Sequence, residues 1–267
     1  MFVAAVLEYD GTNFSGSQFQ KNSRTVQGEL ELALHKTFNI YNRVKFASRT
    51  DSGVHSLGQI VLINIDNDIP IQKFPKVIND NLPLDIRLRE IKKVNKSFDP
   101  RRDALAREYI YKISLKEYLS PFESRFLSNY GSNIDFSLLK KASSLFEGVY
   151  DFKSFSGSSF NNVKSSVRRI LNITCVKKER LIEIRVLGNS FIHQQLRRMV
   201  ALMIKISQGE YALTKIQDML FSNERKTLSL IAPPNGLYLS KILYADGLFD
   251  TDYNNQITEV EYVNSSK

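Results

Sequence analysis

The chain alternates between short runs of period two and longer stretches of period 3.6, and the order of these patterns outlines its organisation. Residues 2–8 form an apolar run of strand length, closed by the turn signal Tyr9-Asp10-Gly11-Thr12. Residues 13–24 are polar and read as a loop. Thr25 suits the N-cap of a helix to about Phe38, with Val26, Leu30, Ala33, Leu34 and Phe38 as its apolar stripe. Residues 44–47 and 59–65 predict two strands, the second buried and rich in branched side chains. A short helix interrupted by Pro75 is expected within 70–79, and residues 86–91 alternate like a half-exposed strand. Periodicity breaks at 97–104, where Pro100 and a charge cluster mark a connection.

Beyond the break, residues 107–113 alternate as a strand with Tyr109, Tyr111 and Ile113 on one face. Asp135 is placed to cap a helix carrying Leu138, Leu139, Ala142, Leu145 and Phe146 on one side, with Gly148 at its C′ position. Residues 150–166, rich in Ser, Phe and Asn, read as a long loop. Strands at 167–175 and 181–187 are joined by the basic turn Lys177-Lys178-Glu179-Arg180. Ser190 is the expected cap of a helix to about Gln208 that turns Leu196, Met199, Val200, Met203 and Ile204 inward, and Gly209 stops it. A short helix at 213–221, a Pro-Pro-Asn-Gly turn at 233–236 and a last strand at 237–244 follow; residues 248–267 are polar and expected to fray.

Both halves thus run strand, helix, further strands. That weak repetition predicts an α+β fold of two similar units built on antiparallel strands, an N-terminal half over 1–104 and a C-terminal half over 105–247, with a polar tail over 248–267. A composition of 42% hydrophobic residues allows a substantial core. The formal net charge of +9 favours a polyanionic partner, nucleic acid or an anionic surface. The single cysteine, Cys175, excludes an internal disulfide, suits a reducing cytosol and is expected in a strand's core rather than as a nucleophile. The apolar N-terminus reaches Glu8 too soon for a signal peptide, and no apolar run approaches the roughly 20 residues of a membrane span. These features predict a cytoplasmic protein with no membrane partner.

Candidate chemistry is sparse. His35, His55 and His193 are far apart, no Cys/His spacing fits a metal site, and no Gly-rich phosphate loop is present. What stands out is Asp51, within Ala-Ser-Arg-Thr-Asp-Ser-Gly-Val-His-Ser-Leu-Gly-Gln-Ile at 47–60. Ser52-Gly53 is a turn signal, and the spacing admits two readings. Asp51 caps its own turn, or it is a working carboxylate flanked by Arg49 and His55 on a loop held by strands. Arg197, beside an apolar helix stripe, either lines a solvated or phosphate-facing side or reaches inward to a carboxylate. Tyr109 either packs in the core or offers its ring to a ligand. Basic pairs at Arg101-Arg102, Arg168-Arg169 and Arg225-Lys226, with aromatic residues nearby in sequence, would suit RNA.

The stretch Arg49-Thr50-Asp51-Ser52-Gly53-Val54-His55-Ser56 closely resembles the Arg-Thr-Asp-x-Gly-Val-His-Ala motif of the tRNA pseudouridine synthases of the TruA family. Four further blocks resemble that family in the same order over about residues 3–244. They are Tyr9-Asp10-Gly11-Thr12 with Thr25-Val26-Gln27-Gly28; Ser97-Phe98-Asp99 with Arg107-Glu108-Tyr109-Ile110-Tyr111; Gly188-Asn189-Ser190-Phe191 through Arg197-Arg198-Met199-Val200; and Ala232-Pro233-Pro234-Asn235-Gly236-Leu237-Tyr238-Leu239. The resemblance implies a pseudouridine-synthase fold, two similar α+β halves sharing a mainly antiparallel sheet with flanking helices and a central cleft. It implies a homodimer that binds the tRNA anticodon stem-loop and isomerises uridine to pseudouridine, at positions 38, 39 and 40, without cofactor or metal. It makes Asp51 the essential carboxylate, Arg197 its cationic partner and Tyr109 the ring that stacks on the uracil, with Arg49 and His55 also contacting substrate. The alternative is an inactive tRNA-binding or tRNA-folding protein, against which the retained Asp51, Tyr109 and Arg197 argue. Departures include Ser17 where the family often has Trp, Ser48 where Gly is frequent and Ser56 where Ala is usual.

Overall fold

The computed structural model describes residues 1–65, 70–157, 165–222, 228–245 and 247–249, and divides into two compact units, Met1–Arg107 with Tyr238–Lys267, and Glu108–Leu237. The first unit opens with β1 (Phe2–Tyr9), followed by α1 (Val26–Phe38), β2 (Lys45–Phe46), β3 (His55–Asn64), α2 (Phe74–Asn79) and β4 (Ile86–Lys93). β1 lies between β3 and β4, antiparallel to both, and β2 is antiparallel to β3. Alternation decides the layering. Val3, Ala5, Leu7 and Tyr9 of β1 all enter one core with Val26, Leu30, Ala33 and Leu34 of α1 and Phe74 and Ile78 of α2. Helix α1 starts as its pattern predicts, with the Thr25 side chain accepting from Gly28 N, and ends on Asn39 in the left-handed region. Pro75 does not interrupt α2. It sits in the first turn, where its missing N–H costs no intrahelical bond.

In the second unit the order is β5 (Ala104–Ser114, beginning in the first unit), β6 (Ser128–Asn129), α3 (Phe136–Ser144), β7 (Gly148–Asp151), β8 (Val167–Lys178), β9 (Leu181–Gly188), α4 (Gln195–Ser207) and α5 (Thr214–Phe221). Its strands lie in the order β5-β9-β8-β7, with antiparallel pairing of β7 with β8 and of β8 with β9 and a short parallel contact of β6 with β5. Asp135 caps α3 as expected, and α3 packs on α4 and β8. Phe146, Phe152 and Phe155 are fully buried as a ring cluster with centroids 5.3–6.5 Å apart. The last strand, β10 (Leu237–Tyr244), returns to the first unit and runs parallel to β3, pairing Tyr238 with His55 and Leu239 with Ser56.

Several expected boundaries move. β3 begins at His55 rather than Gln59, because pairing with β1 and β10 extends it into the motif. α4 begins at Gln195, not after Ser190. Gln194 is left-handed at φ 61°, and Gln195 folds back on Ile192 through its own N–H to Ile192 O (3.1 Å) and Oε1 from Ile192 N (3.0 Å). Gly148 opens β7 instead of closing α3, which ends on Leu145 in the right-handed region. The basic turn shortens to Glu179 and Arg180, since Lys178 still pairs with Leu181. Of the expected loop 150–166, Tyr150 and Asp151 belong to β7 and Lys153–Phe155 is a 3-10 turn, while 158–164 lie outside the described residues. The Arg225-Lys226 pair and tail residues 250–267 also lie outside them. Among the described residues no helix is long and apolar enough to cross a membrane.

Candidate active site

The loop carrying Asp51 joins β2 to β3 in the first unit and is braced along its length. Gln59, fully buried on β3, donates Nε2–H to Ser48 O (2.8 Å) and accepts from Ser48 N at Oε1 (3.1 Å), so its amide serves as a backbone partner. Thr50 N donates to Ser17 Oγ (2.9 Å), Ser17 N donates to Thr50 O (3.1 Å), and the Thr50 and Tyr9 hydroxyls lie 2.8 Å apart. On the far side, Ser52 Oγ and Gly53 N both donate to Phe14 O (3.1 and 3.3 Å), and Val54 N donates to Asp51 O (3.2 Å). Gly53 holds φ 77°, which its missing Cβ allows. The braces leave the Asp51 side chain half-buried, with Arg49 exposed beside it.

His55 is 1% exposed; its Nδ1 accepts from Gly11 N (3.0 Å) and its ring stacks on Tyr238 (4.7 Å between centroids). It therefore links the start of β3 to the turn after β1 and to β10. Two further serines fall among these supports. Ser17 is fully buried under Thr50, and the Ser56 hydroxyl donates to Leu239 O (3.2 Å), tying β3 to β10. Sequence reasoning missed the roles of Gln59 and Ser17. Gln59 had a readable signal: it is a polar residue heading a strand of Ile, Val and Leu, and a buried amide must find partners.

The other candidates lie in the second unit. Tyr109 of β5 is 6% exposed and meets Phe191 edge-on (5.2 Å, 82°). Arg197, in the first turn of α4, is half-buried; its Nε donates to Ala232 O (2.8 Å), and Ala232 N donates to Arg197 O (3.0 Å). Arg198 donates to Leu228 O and, through Nη2, to Gln194 Oε1 (3.0 Å). Burial, and then the charge of Arg197, lower its basicity. Tyr111 is 1% exposed, and burial pushes its phenol well above the ordinary range while the Arg197 charge pulls the other way. Tyr130 is raised by burial against the same opposing charge. Both phenols therefore keep their protons at neutral pH. Cys175 is half-buried with its thiol pushed up by burial, which disfavours the thiolate a nucleophile needs.

A carboxylate on a braced loop can act as nucleophile or base, and an Arg with a fixed plane can orient an anion. Comparison with known proteins places the chain in a family. The model of the tRNA pseudouridine synthase family matches residues 5–101 and 142–245, which include Asp51, Arg49, His55 and Arg197 but not Tyr109. The tRNA pseudouridine synthase A of Thermodesulfovibrio yellowstonii is 33% identical over 253 residues, covering 91% of this chain and 99% of that protein. Those of Thermotoga maritima and Pseudothermotoga lettingae are 35% and 38% identical, over 91% and 88% of this chain and 99% and 96% of their own. The chain belongs to the tRNA pseudouridine synthase family.

Proposed function

We propose that this chain isomerises uridine to pseudouridine in tRNA, in the anticodon stem-loop at positions 38, 39 and 40, as a cytoplasmic homodimer. The observation that carries this reading is similarity to synthases along 91% of the chain, with the Asp51 motif kept from Arg49 through His55. In the reaction the N1–C1′ bond breaks, the uracil turns, C5 joins C1′, and the C5 proton leaves to solvent while N1 gains one. A base within a stem or stacked loop is out of reach, so the uridine must flip out first. Asp51 supplies the charged oxygen that attacks the nucleotide or removes a proton. Arg197 serves as the cationic partner of the carboxylate in the reaction. Tyr109 stacks on the flipped uracil and its hydroxyl assists the late proton transfer from C5. Arg49, exposed beside Asp51, fills the vacated stack, and His55 acts through the loop it braces.

Tritium release from C5-labelled uridine in tRNA transcripts tests the activity. Purified wild-type protein is expected to release label; binding of tRNA without release would overturn the isomerase reading. Arg197→Ala is expected to lower turnover by roughly a hundredfold and tRNA affinity by much less. A loss of affinity alone would make Arg197 a phosphate contact instead. Because cations on the protein displace counterions from the tRNA backbone, raising salt from 50 to 200 mM should weaken binding at least about tenfold. An affinity indifferent to salt in filter-binding assays contradicts a role for the +9 charge.

A further inference from the structure

The turn at 232–236 holds more side-chain bonds than a turn needs. Asn in a turn ordinarily bonds its own neighbours. Asn235 instead donates Nδ2–H to Ser124 O (2.7 Å) and Leu127 O (2.8 Å) and accepts from Ser128 Oγ at Oδ1 (3.0 Å), more than 100 residues away in sequence. Tyr111 Oη stands 2.8 Å from Ser128 Oγ and 2.9 Å from Pro233 O. Tyr111, Ser128 and Ala232 are each about 1% exposed, and the bond between the Tyr111 and Ser128 hydroxyls is buried, while those of Asn235 and Pro233 lie nearer the surface. The neighbouring carbonyl, Ala232 O, is the one that accepts from Arg197 Nε.

A guanidinium is planar, and its Nε–H lies in that plane. Bonding Nε to a fixed carbonyl sets the plane and hence the direction of both terminal nitrogens. A strand end or an ordinary loop would leave that carbonyl free to tilt. Here the two prolines restrict φ on the residues after it, and Asn235 and Tyr111 tie the same turn to the β5–β6 region.

We infer that Asn235 and Tyr111, with Ser128 between them, are positioning residues for the isomerisation: they fix the Ala232 carbonyl and through it aim the Arg197 guanidinium. This inference rests on the isomerase reading. Its test is a double-mutant cycle in single-turnover tritium release, with tRNA Kd and thermal unfolding measured in parallel. Asn235→Ala and Tyr111→Phe are each expected to slow the chemical step about tenfold to a hundredfold, with Kd within about twofold, because a small misorientation of a catalytic group affects rate more than binding. In an Arg197→Lys background, where no guanidinium remains to be aimed, the same substitutions should cost less than about twofold. Rates within about twofold of the parent, a loss confined to Kd, or losses that multiply fully with Arg197→Lys would each overturn the inference. If Asn235→Ala does not fold, Tyr111→Phe decides, since it removes one oxygen and keeps the ring packed. A parent chain that binds tRNA but releases no label overturns the isomerase reading and this one with it, whereas an active parent with unaffected variants overturns only this one.

Discussion

Asp51→Asn is expected to abolish tritium release from C5-labelled tRNA, by more than about 10³-fold, while tRNA affinity stays within about threefold of wild type. The amide nearly matches the carboxylate in shape but carries no charge and no useful basicity. The bonds described above that brace the loop do not run through the Asp51 side chain. They use the backbone carbonyl of Asp51, the Gln59 amide, the Ser17 and Tyr9 hydroxyls and the Phe14 carbonyl. The substitution therefore leaves those braces in place and removes the charge. Retention of release within tenfold of wild type would return Asp51 to a turn-capping role. A parallel loss of binding and melting temperature would mean that the loop itself had collapsed.

The second large effect is structural. Gly11→Ala should destabilise the protein by roughly 3 kcal/mol or more, which for a chain of this size lowers Tm by roughly 6 to 12 °C. A Cβ on Gly11 would stand 2.0 Å from Val54 O and 2.4 Å from Val54 C, and both are backbone atoms that cannot rotate away. The strain would fall on the Asp51 loop, because Val54 closes that loop and Gly11 N is the donor to His55. Activity measured well below the new Tm should also fall. A variant that melts with wild type would show that the turn after β1 can move away from Val54 at little cost, and would remove the basis for assigning His55 a bracing role.

How far the site can be read in advance depends on the range of the contact. The turn at Asp51 is legible because Ser52-Gly53 is local turn chemistry between two apolar runs. The helix cap at Thr25 and the cap at Asp135 are legible for the same reason, since donor and acceptor are three residues apart. Ser190 has the right composition for a cap and draws the expected start of α4 too early, whereas the competing fold-back of Gln195 onto Ile192 has no compositional signature. Pro75 reads as an interruption because the pattern does not reveal that the helix starts only one residue earlier. The positions of Tyr111 and Asn235 were visible, as a strand residue and a turn residue, but their contact with one another through Ser128 was not.

By itself, then, the sequence determined the α+β order of elements, the faces of its helices and strands, and the block of residues around Asp51 that resembles the synthase motif. These follow from period and local hydrogen bonding, which act over a few residues. Only the tertiary structure decided that β10 returns to pair in parallel with β3, that Gln59 and Ser17 hold the Asp51 loop, and that the plane of Arg197 depends on Ala232. Those contacts join residues separated by 11 to 183 positions, as in Gln59 with Ser48 and Ser56 with Leu239. No periodic pattern encodes such pairs. They form because burial removes water from polar groups that must then find one another.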